Sequence, residues 1–251
     1  MDINDRFWNA SADELKQGYI QENGYYLCLL DGFIAEQGVI YPVGNRLYDA
    51  ERFIQHHIRE AYGSVFEYLT QLDKKLTGLT EHQSHLLRLF HQGKSDREIM
   101  EETGISSAST IRNHRFSLKE KERQAKLFLA MMELLKEKDQ HAPIFVQPHK
   151  SARMLDDRYN VTEEENEQVL DKYFPHGRDG LLKTFKLKEK NRWIVLREIA
   201  RRFEPGRTYT EPEANAVIQS AFSDYVTVRR YLIEYGFIDR EEDGSRYWLV
   251  N

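Results

Sequence analysis

Apolar residues recur at helical spacing over most of the chain and at strand spacing in a few short stretches. Over residues 79–138 they fall three and four positions apart, as in helices that bury one face. An aromatic run at residues 25–30 and an alternating run at residues 237–249 indicate strands. The pattern predicts a mainly α, multidomain protein with a small α+β unit at its amino end.

Composition divides the chain into three modules and one linker. Pro143 and Pro148 stand among polar positions with little periodicity, which predicts a linker of about twenty residues between independent modules. Thr162 and the glutamates after it indicate the start of a new helix. The predicted units are residues 1–76, 77–138, 139–160 (the linker) and 161–251.

Helix start and stop signals divide the central unit into three helices. Thr80 can cap the first helix, and Gly93 supplies its stop. Ser95 and Glu98 have the spacing of a capping box for a short second helix, which Gly104 ends. A third helix follows the turn. This arrangement predicts a helix-turn-helix.

The third helix carries side chains that suit contacts to DNA. Arginine can bind guanine O6 and N7 with two hydrogen bonds, asparagine can bind adenine N6 and N7, and serine or threonine at a helix start suits phosphate. We therefore expect this helix to read the major groove of double-stranded DNA. The candidate DNA-binding residues of the unit are Ser95, Ser107, Ser109, Thr110, Arg112, Asn113, His114, Arg115 and Lys119.

The strings LTEHQSHLLRLFHQGKSDREI, TGIS and TIRNH resemble the LuxR-type helix-turn-helix of bacterial response regulators over residues 79–118. The resemblance implies a sequence-specific transcriptional regulator. One departure is visible, because three residues separate Ser106 from Thr110 where the family has two. The longer turn can rotate the recognition helix, so the resemblance does not fix individual base contacts. A helical bundle that does not bind DNA is the alternative.

The third helix continues to the end of the central unit with a wide apolar surface. Leu118, Ala125, Phe128, Met132 and Leu135 are spaced seven, three, four and three apart, which is heptad spacing. So apolar a helix must bury itself against the N-terminal unit or a second subunit. We expect a homodimer, which would place two recognition helices on neighbouring half-sites.

The C-terminal unit shows the pattern of three helices followed by a hairpin, which is a winged helix. The strings NRWIVLREIARRFEPGRTYTEPEAN, DYVTVRRYLIEYGFIDR and DGSRYWLV resemble a bacterial family, domain of unknown function 2087. The resemblance implies a winged-helix-like module of bacterial regulators and no settled activity. The candidate DNA-binding residues here are Arg229, Arg230 and Arg246. The alternative is a protein-interaction module in which Arg229 or Arg230 pairs internally with Asp224, Glu234 or Glu241.

Cys28 and Asp31, followed by His57 on a predicted helix, faintly resemble the layout of a zinc finger. Structural zinc takes four cysteine or histidine ligands, so the set is incomplete. Relatives of the whole chain resemble it with a second cysteine at Asp31 and a second histidine at Tyr62. The resemblance implies a degenerate, zinc-finger-like unit in which aromatic packing replaces the metal. We expect no metal or other cofactor, and Cys28, Asp31 and His57 remain weak candidate ligands.

Charge changes this picture only locally. The net charge of -5 disfavours nucleic acid as a partner of the whole chain. Yet residues 104–126 hold six basic and two acidic side chains, and residues 181–207 hold nine and three. Two separate basic surfaces suggest local contacts with a polyanion, although solvated helix faces explain them as well.

The remaining features exclude several classes of protein. A mean hydropathy of -0.69 and the lack of an apolar run of ~20 residues disfavour a membrane protein. The chain does not start like a secretory signal, and its single cysteine agrees with a reducing compartment, so we expect a cytoplasmic protein. No phosphate loop, nucleophile elbow, dinucleotide fingerprint or HExxH pair occurs, so no enzyme is expected. The alternative to a DNA-binding regulator is a non-catalytic adaptor that binds RNA polymerase or another regulator.

Overall fold

In the computed structural model the chain divides into two compact units. Unit 1 comprises Met1–Thr77 and Phe145–Asn251, and unit 2 comprises Gly78–Ile144. The structure describes residues 3–152 and 156–250. Helices predominate, and the strands form small antiparallel sheets, which confirms the mainly α class predicted from the sequence.

The N-terminal part of unit 1 packs a small sheet against a helix. Its elements are α1 (Ile3–Asn9), α2 (Ala12–Gln17), β1 (Tyr19–Glu22), β2 (Tyr25–Cys28), β3 (Ile34–Glu36), β4 (Tyr41–Val43), β5 (Arg46–Tyr48), α3 (Ala50–Tyr62), α4 (Val65–Gln71) and α5 (Lys74–Thr77). Strands β1, β2 and β3 form one antiparallel sheet, and β4 and β5 form a hairpin. Ile54 and Ile58 of α3 pack with Phe7, Leu29 and Leu30 in the core.

The C-terminal part of unit 1 has its own sheet and a larger core. A 3-10 helix (Asp157–Tyr159) precedes α9 (Glu163–Tyr173), α10 (Glu189–Ala200), β6 (Thr208–Thr210), α11 (Glu211–Gln219), α12 (Tyr225–Glu234), β7 (Ile238–Arg240) and β8 (Arg246–Leu249). Strand β8 lies between β6 and β7, antiparallel to both. The predicted caps Thr162 and Thr210 begin α9 and α11 with capping boxes, as expected.

Residues 139–160 were predicted to be a linker. From Phe145 onward this segment belongs to unit 1. Lys150 is only 2% exposed, and its Nζ donates hydrogen bonds to the carbonyl oxygens of Leu29 (2.9 Å) and Leu30 (2.6 Å). Buried carbonyls need such partners. The segment therefore joins the two parts of unit 1, which differs from the expectation that it separates independent modules. Residues 153–155 of that prediction lie outside the described residues.

Unit 2 is built from α6 (Glu81–His91), α7 (Asp96–Thr103) and the long α8 (Ala108–Lys136). Its buried core consists of Leu86, Leu89, Ile99 and Ile111, one or two from each helix. The predicted caps are confirmed, because Thr80 and Ser95 begin α6 and α7 with capping boxes. Gly104 ends α7 at a φ of 71°, the left-handed conformation that glycine adopts without strain. None of the helices in the described part of the chain has the length and apolar composition needed to cross a membrane.

Candidate nucleic-acid interface

The amino end of α8 combines one buried residue with two exposed polar ones. Ile111 is fully buried in the core of unit 2, which fixes the rotation of the helix. The next two residues, Arg112 and Asn113, are exposed. Within the described chain neither side chain makes a hydrogen bond or ion pair. Both are therefore available to a partner outside the protein.

Hydroxyl groups cluster where α8 begins. Ser107 is the N-cap, and its Oγ accepts a hydrogen bond from the Thr110 backbone N–H at 3.2 Å. The same Oγ shares hydrogen bonds with Ser109 Oγ at 2.8 Å and Thr110 Oγ1 at 2.9 Å. Ser107 thus stabilises the helix start, while Ser109 remains exposed. A phosphate contact from this end would come most directly from Ser109.

Arg115 is engaged within unit 2, unlike Arg112. Its guanidinium carbon lies 3.8 Å from the centre of the Phe90 ring, and its Nη2 donates to Asp96 Oδ1 at 3.1 Å. These contacts brace α8 against α6 and α7. The structure therefore gives Arg115 an internal role where the sequence predicts a DNA contact, because stacking and the ion pair hold the side chain at the helix junction.

The other predicted DNA-binding residues of unit 2 also have local partners. Ser95 Oγ donates to Glu98 Oε2 at 2.7 Å, and this side-chain hydrogen bond, together with that from the Ser95 backbone, lowers the pKa of Glu98. Lys119 Nζ donates to Glu122 at 2.7 Å, and both side chains are exposed. The His114 ring lies 5.0 Å from the His82 ring. Exposed pairs such as Lys119 with Glu122 contribute little and exchange easily with a phosphate.

The distal half of α8 is solvent-exposed on all sides. Every residue over 121–136 is exposed, although nine of them are Ala, Leu, Met or Phe. Leu127 is 67% and Phe128 62% exposed. Helices in proteins owe most of their stability to packing of an apolar face, and so large an exposed apolar surface usually marks an interface.

In unit 1, Arg229 of α12 points into the protein. Its Nη1 donates to Glu211 Oε1 at 2.7 Å and to Asn215 Oδ1, and the side chain is 16% exposed. The sequence predicts a DNA contact or an internal pair for Arg229, and the structure has the pair, with Glu211 instead of the expected partners. The side chain would have to leave this pair to reach a phosphate.

The remaining two candidates of this unit are exposed. Arg230 lies over the Tyr231 ring, 5.5 Å from its centre. Arg246 begins β8 beside the acidic turn of Glu241, Glu242 and Asp243. Three carboxylates beside one guanidinium make the hairpin tip unfavourable for a phosphate.

The three weak metal-ligand candidates do come together in the N-terminal part of unit 1. One ligand atom each of Cys28, Asp31 and His57 lie within 4.8 Å of one another. Asp31 Oδ2 is 2.6 Å from His57 Nε2 and accepts a hydrogen bond from the Tyr62 hydroxyl at 3.0 Å, while Oδ1 accepts from the Phe33 N–H at 2.9 Å. The carboxylate is therefore the centre of the cluster.

Hydrogen bonding decides the protonation states in this cluster. Burial acts to raise the pKa of Asp31, but the hydrogen bonds from His57, the Phe33 N–H and Cys28 outweigh it and lower the pKa to about 2. Burial, with the nearby Asp31 charge, raises the pKa of Cys28 to about 12. The same two causes raise the pKa of Tyr62. At neutral pH the cluster thus contains an anionic carboxylate beside a protonated thiol and a protonated phenol.

This donor set fits structural zinc poorly. Structural zinc usually has four cysteine or histidine ligands, whereas the described cluster offers one cysteine, one histidine and one aspartate. Tyr62 stands where the zinc-finger resemblance implies a second histidine, and its hydroxyl donates to Asp31. That the unit holds no metal stays a prediction.

The partners of the two arginines were not visible in the sequence. Asp96 lies 19 residues before Arg115, and Glu211 lies 18 residues before Arg229. No spacing rule connects such positions, because the contacts arise only when separate helices pack. Helix periodicity identifies which arginines lie on α8 and α12 but not which of them are already paired.

Comparison with known proteins finds that one part of the chain is similar to a bacterial family. Residues 181–249 match the profile of a family described as an uncharacterized protein conserved in bacteria (DUF2087), which confirms the resemblance of the C-terminal module. No curated protein and no solved structure matches the chain. The match covers the segment from the loop before α10 to β8.

Proposed function

We propose that this chain is a cytoplasmic DNA-binding transcriptional regulator of bacteria that reads the major groove with the amino end of α8. The observation that carries the proposal is the pair of exposed, unengaged side chains Arg112 and Asn113 beside the fully buried Ile111. A rigid helix with a bidentate guanine reader and a bidentate adenine reader at its start is the arrangement that base recognition requires.

Further support comes from the organisation of both units. Helices α6, α7 and α8, with a tight turn at Gly104, have the order of a helix-turn-helix and agree with the LuxR-type resemblance. In unit 1, α10, β6, α11, α12, β7 and β8 follow one another in the order of a winged helix, with β8 central in the sheet. Regulators commonly contain both modules, and α12 is the helix that would correspond to a reader.

We further propose that the active form is a homodimer joined along the distal half of α8. The apolar positions follow heptad spacing, and a heptad seam is complementary to a second copy of itself. Such a partner would cover Leu127, Phe128 and the exposed methionines that follow. A twofold dimer then presents two recognition helices to a palindromic site.

The proposal is tested by selecting genomic fragments with the purified full-length protein and measuring binding of the enriched duplex by fluorescence anisotropy. Arg112→Ala with Asn113→Ala should abolish the preference for the selected duplex over a scrambled one. Asn45→Ala with Arg46→Ala is the matched control, since it removes an exposed amide and an exposed arginine from the β4–β5 hairpin of unit 1. Equal loss of preference in both variants, or no preference in the wild type, would contradict the proposal.

A non-catalytic adaptor is the second candidate function. The exposed apolar face of α8 favours it, because this face would also suit a helix of RNA polymerase or of another regulator. An adaptor would bind its partner with an affinity independent of Arg112 and Asn113. It would also show no steep dependence of DNA binding on salt.

A further inference from the structure

Five cations of unit 1 lie on the loop before α10, on α10 and on α12, and the two arginines among them lie over the Tyr231 ring. We propose that this cluster binds the DNA phosphate backbone independently of sequence and acts as the second DNA contact of the protein. The inference rests on the proposed function and names the surface through which the C-terminal module takes part. The cluster, hereafter the Tyr231 cationic surface, consists of Lys183, Lys186, Lys188, Arg192 and Arg230.

The loop that carries the three lysines is held in place by its backbone and its apolar residues. The Leu182 N–H donates to Ala221 O at 2.8 Å, and the Lys183 N–H donates to Tyr173 O at 2.9 Å. Leu187 is buried, and the Phe185 ring lies 5.6 Å from the Tyr231 ring. Leu182 and Leu187 are buried, whereas Lys183, Lys186 and Lys188 are exposed on this anchored backbone.

The two arginines meet at Tyr231. The guanidinium carbons of Arg192 and Arg230 lie 4.5 Å and 5.5 Å from the centre of the Tyr231 ring. They are thus no further apart than about 10 Å, a separation comparable with the Debye length of about 8 Å at physiological salt. Two like charges at this separation repel each other, and an anion between them would relieve the repulsion.

These five cations lack carboxylate partners, in contrast to five other cations of the C-terminal module. Within the described chain, no acidic side chain lies at ion-pair distance from any of them. The arginines and lysines that do have carboxylate partners in this module are Arg178, Lys190, Arg201, Arg207 and Arg229. Proteins that merely carry charge intersperse both signs, whereas an unneutralised group of this size indicates an anionic partner.

The start of α10 adds to the same positive potential. Lys188 is its N-cap and makes no side-chain capping hydrogen bond, so the free N–H groups and the positive end of the helix dipole coincide with a cation. Glu189 is the one acidic residue in the first turn of α10, whereas α9 begins with a capping threonine and three glutamates. The Lys188 charge and the positive end of the helix repel each other, and a bound anion would remove this repulsion.

Duplex DNA is the polyanion that fits best. The Tyr231 cationic surface combines lysines, which bind phosphate as point charges, with arginines that are committed to an aromatic ring. It offers no exposed asparagine or glutamine reader, so it would neutralise phosphates without reading bases. In this proposal the Tyr231 cationic surface contacts DNA in this module, and Arg229 and Arg246 at the acidic hairpin tip do not.

The test uses the full chain with four substitutions that leave Arg192 in place: Lys183→Gln, Lys186→Gln, Lys188→Gln and Arg230→Gln. Anisotropy with a scrambled duplex over a series of KCl concentrations should show affinity reduced at least about tenfold, and a slope of log K against log salt smaller by about three. The matched control removes three exposed lysines and one exposed arginine from other parts of unit 1, which are Lys16, Lys74, Lys172 and Arg46. Circular dichroism checks that both variants are folded.

The outcomes separate this inference from the proposed function. Wild-type affinity and slope in the four-site variant would overturn the inference even if Arg112→Ala with Asn113→Ala still removed sequence preference. Conversely, a reduced slope in the four-site variant with no effect at Arg112 and Asn113 would support the inference and contradict reading by α8. Loss of binding to a polyglutamate peptide with unchanged DNA binding would assign the surface to an acidic protein and overturn the inference.

Discussion

Asp31→Asn tests whether one carboxylate holds the N-terminal cluster together. The substitution keeps the shape of the side chain and one carbonyl acceptor, but it removes the charge that His57, Tyr62 and the Phe33 N–H surround. The added NH₂ group then faces donors instead of acceptors. We expect a loss of stability of unit 1 at neutral pH.

The magnitude follows from the pKa of the carboxyl. A pKa lowered from an ordinary 3.8 to about 2 contributes about 2 kcal/mol to the free energy of unfolding at neutral pH. Because the folded-state pKa is the lower one, this contribution is complete above pH 3.8 and is lost as the pH falls towards 2. The difference between wild type and Asp31→Asn should therefore be about 2 kcal/mol at neutral pH and close to zero near pH 2.

Tryptophan fluorescence during urea unfolding measures this difference, because Trp8, Trp193 and Trp248 all belong to unit 1. Tyr62→Phe is the matched control, since it removes one hydroxyl donor to Asp31 and should cost about 1 kcal/mol. Equal stability of wild type and Asp31→Asn at neutral pH would refute the reasoning. So would a difference that persists undiminished at the acid end of the series.

Three further predictions follow from burial and exposure. Ile111→Ala should lower the free energy of unfolding of unit 2 by about 3 kcal/mol, because its core has few other buried residues; unchanged hydrogen-exchange protection of its amides would contradict this. Lys150→Met should lower the stability of unit 1 by about 2 kcal/mol or more, because two buried carbonyls lose their donor; a wild-type urea midpoint would argue against it. Phe128→Glu with Met132→Glu should convert a dimer into a folded monomer in sedimentation velocity, and a monomeric wild type would exclude the α8 interface.

Local chemistry in the sequence predicted the helix boundaries well. The cap at Thr80, the capping box of Ser95 with Glu98 and the left-handed end at Gly104 all appear as expected. Such signals depend on residues within one turn of each other, so a single sequence contains all the information they need.

Long-range packing could not be predicted in the same way. Proline and polar residues around Lys150 indicated a linker, yet its side chain is buried against carbonyls more than a hundred residues away in the chain. Similarly, Arg115 and Arg229 look like free readers until the helices that hold Asp96 and Glu211 pack beside them. Composition describes a segment by itself, whereas burial depends on what the rest of the chain places around it.

The candidate site was therefore predicted in outline and refined by the structure. Nine candidates in unit 2 reduce to a smaller group in which Arg112 and Asn113 are exposed and unengaged, and Ser109 is exposed beside them. In unit 1 the candidate DNA-binding residues change from Arg229 to the loop lysines and Arg230. This change in unit 1 could not be predicted from the sequence, because it depends on which cations already have carboxylate partners.

Protection of guanine N7 from dimethyl sulfate tests the central claim most directly, because N7 lies in the major groove and is an acceptor for a bidentate arginine. On a duplex selected by the wild-type protein, guanines in the binding site should be protected, and Arg112→Ala should restore methylation at specific positions while Arg46→Ala leaves the protection intact. Protection that is the same with and without the Arg112 side chain would contradict reading of the major groove by the amino end of α8.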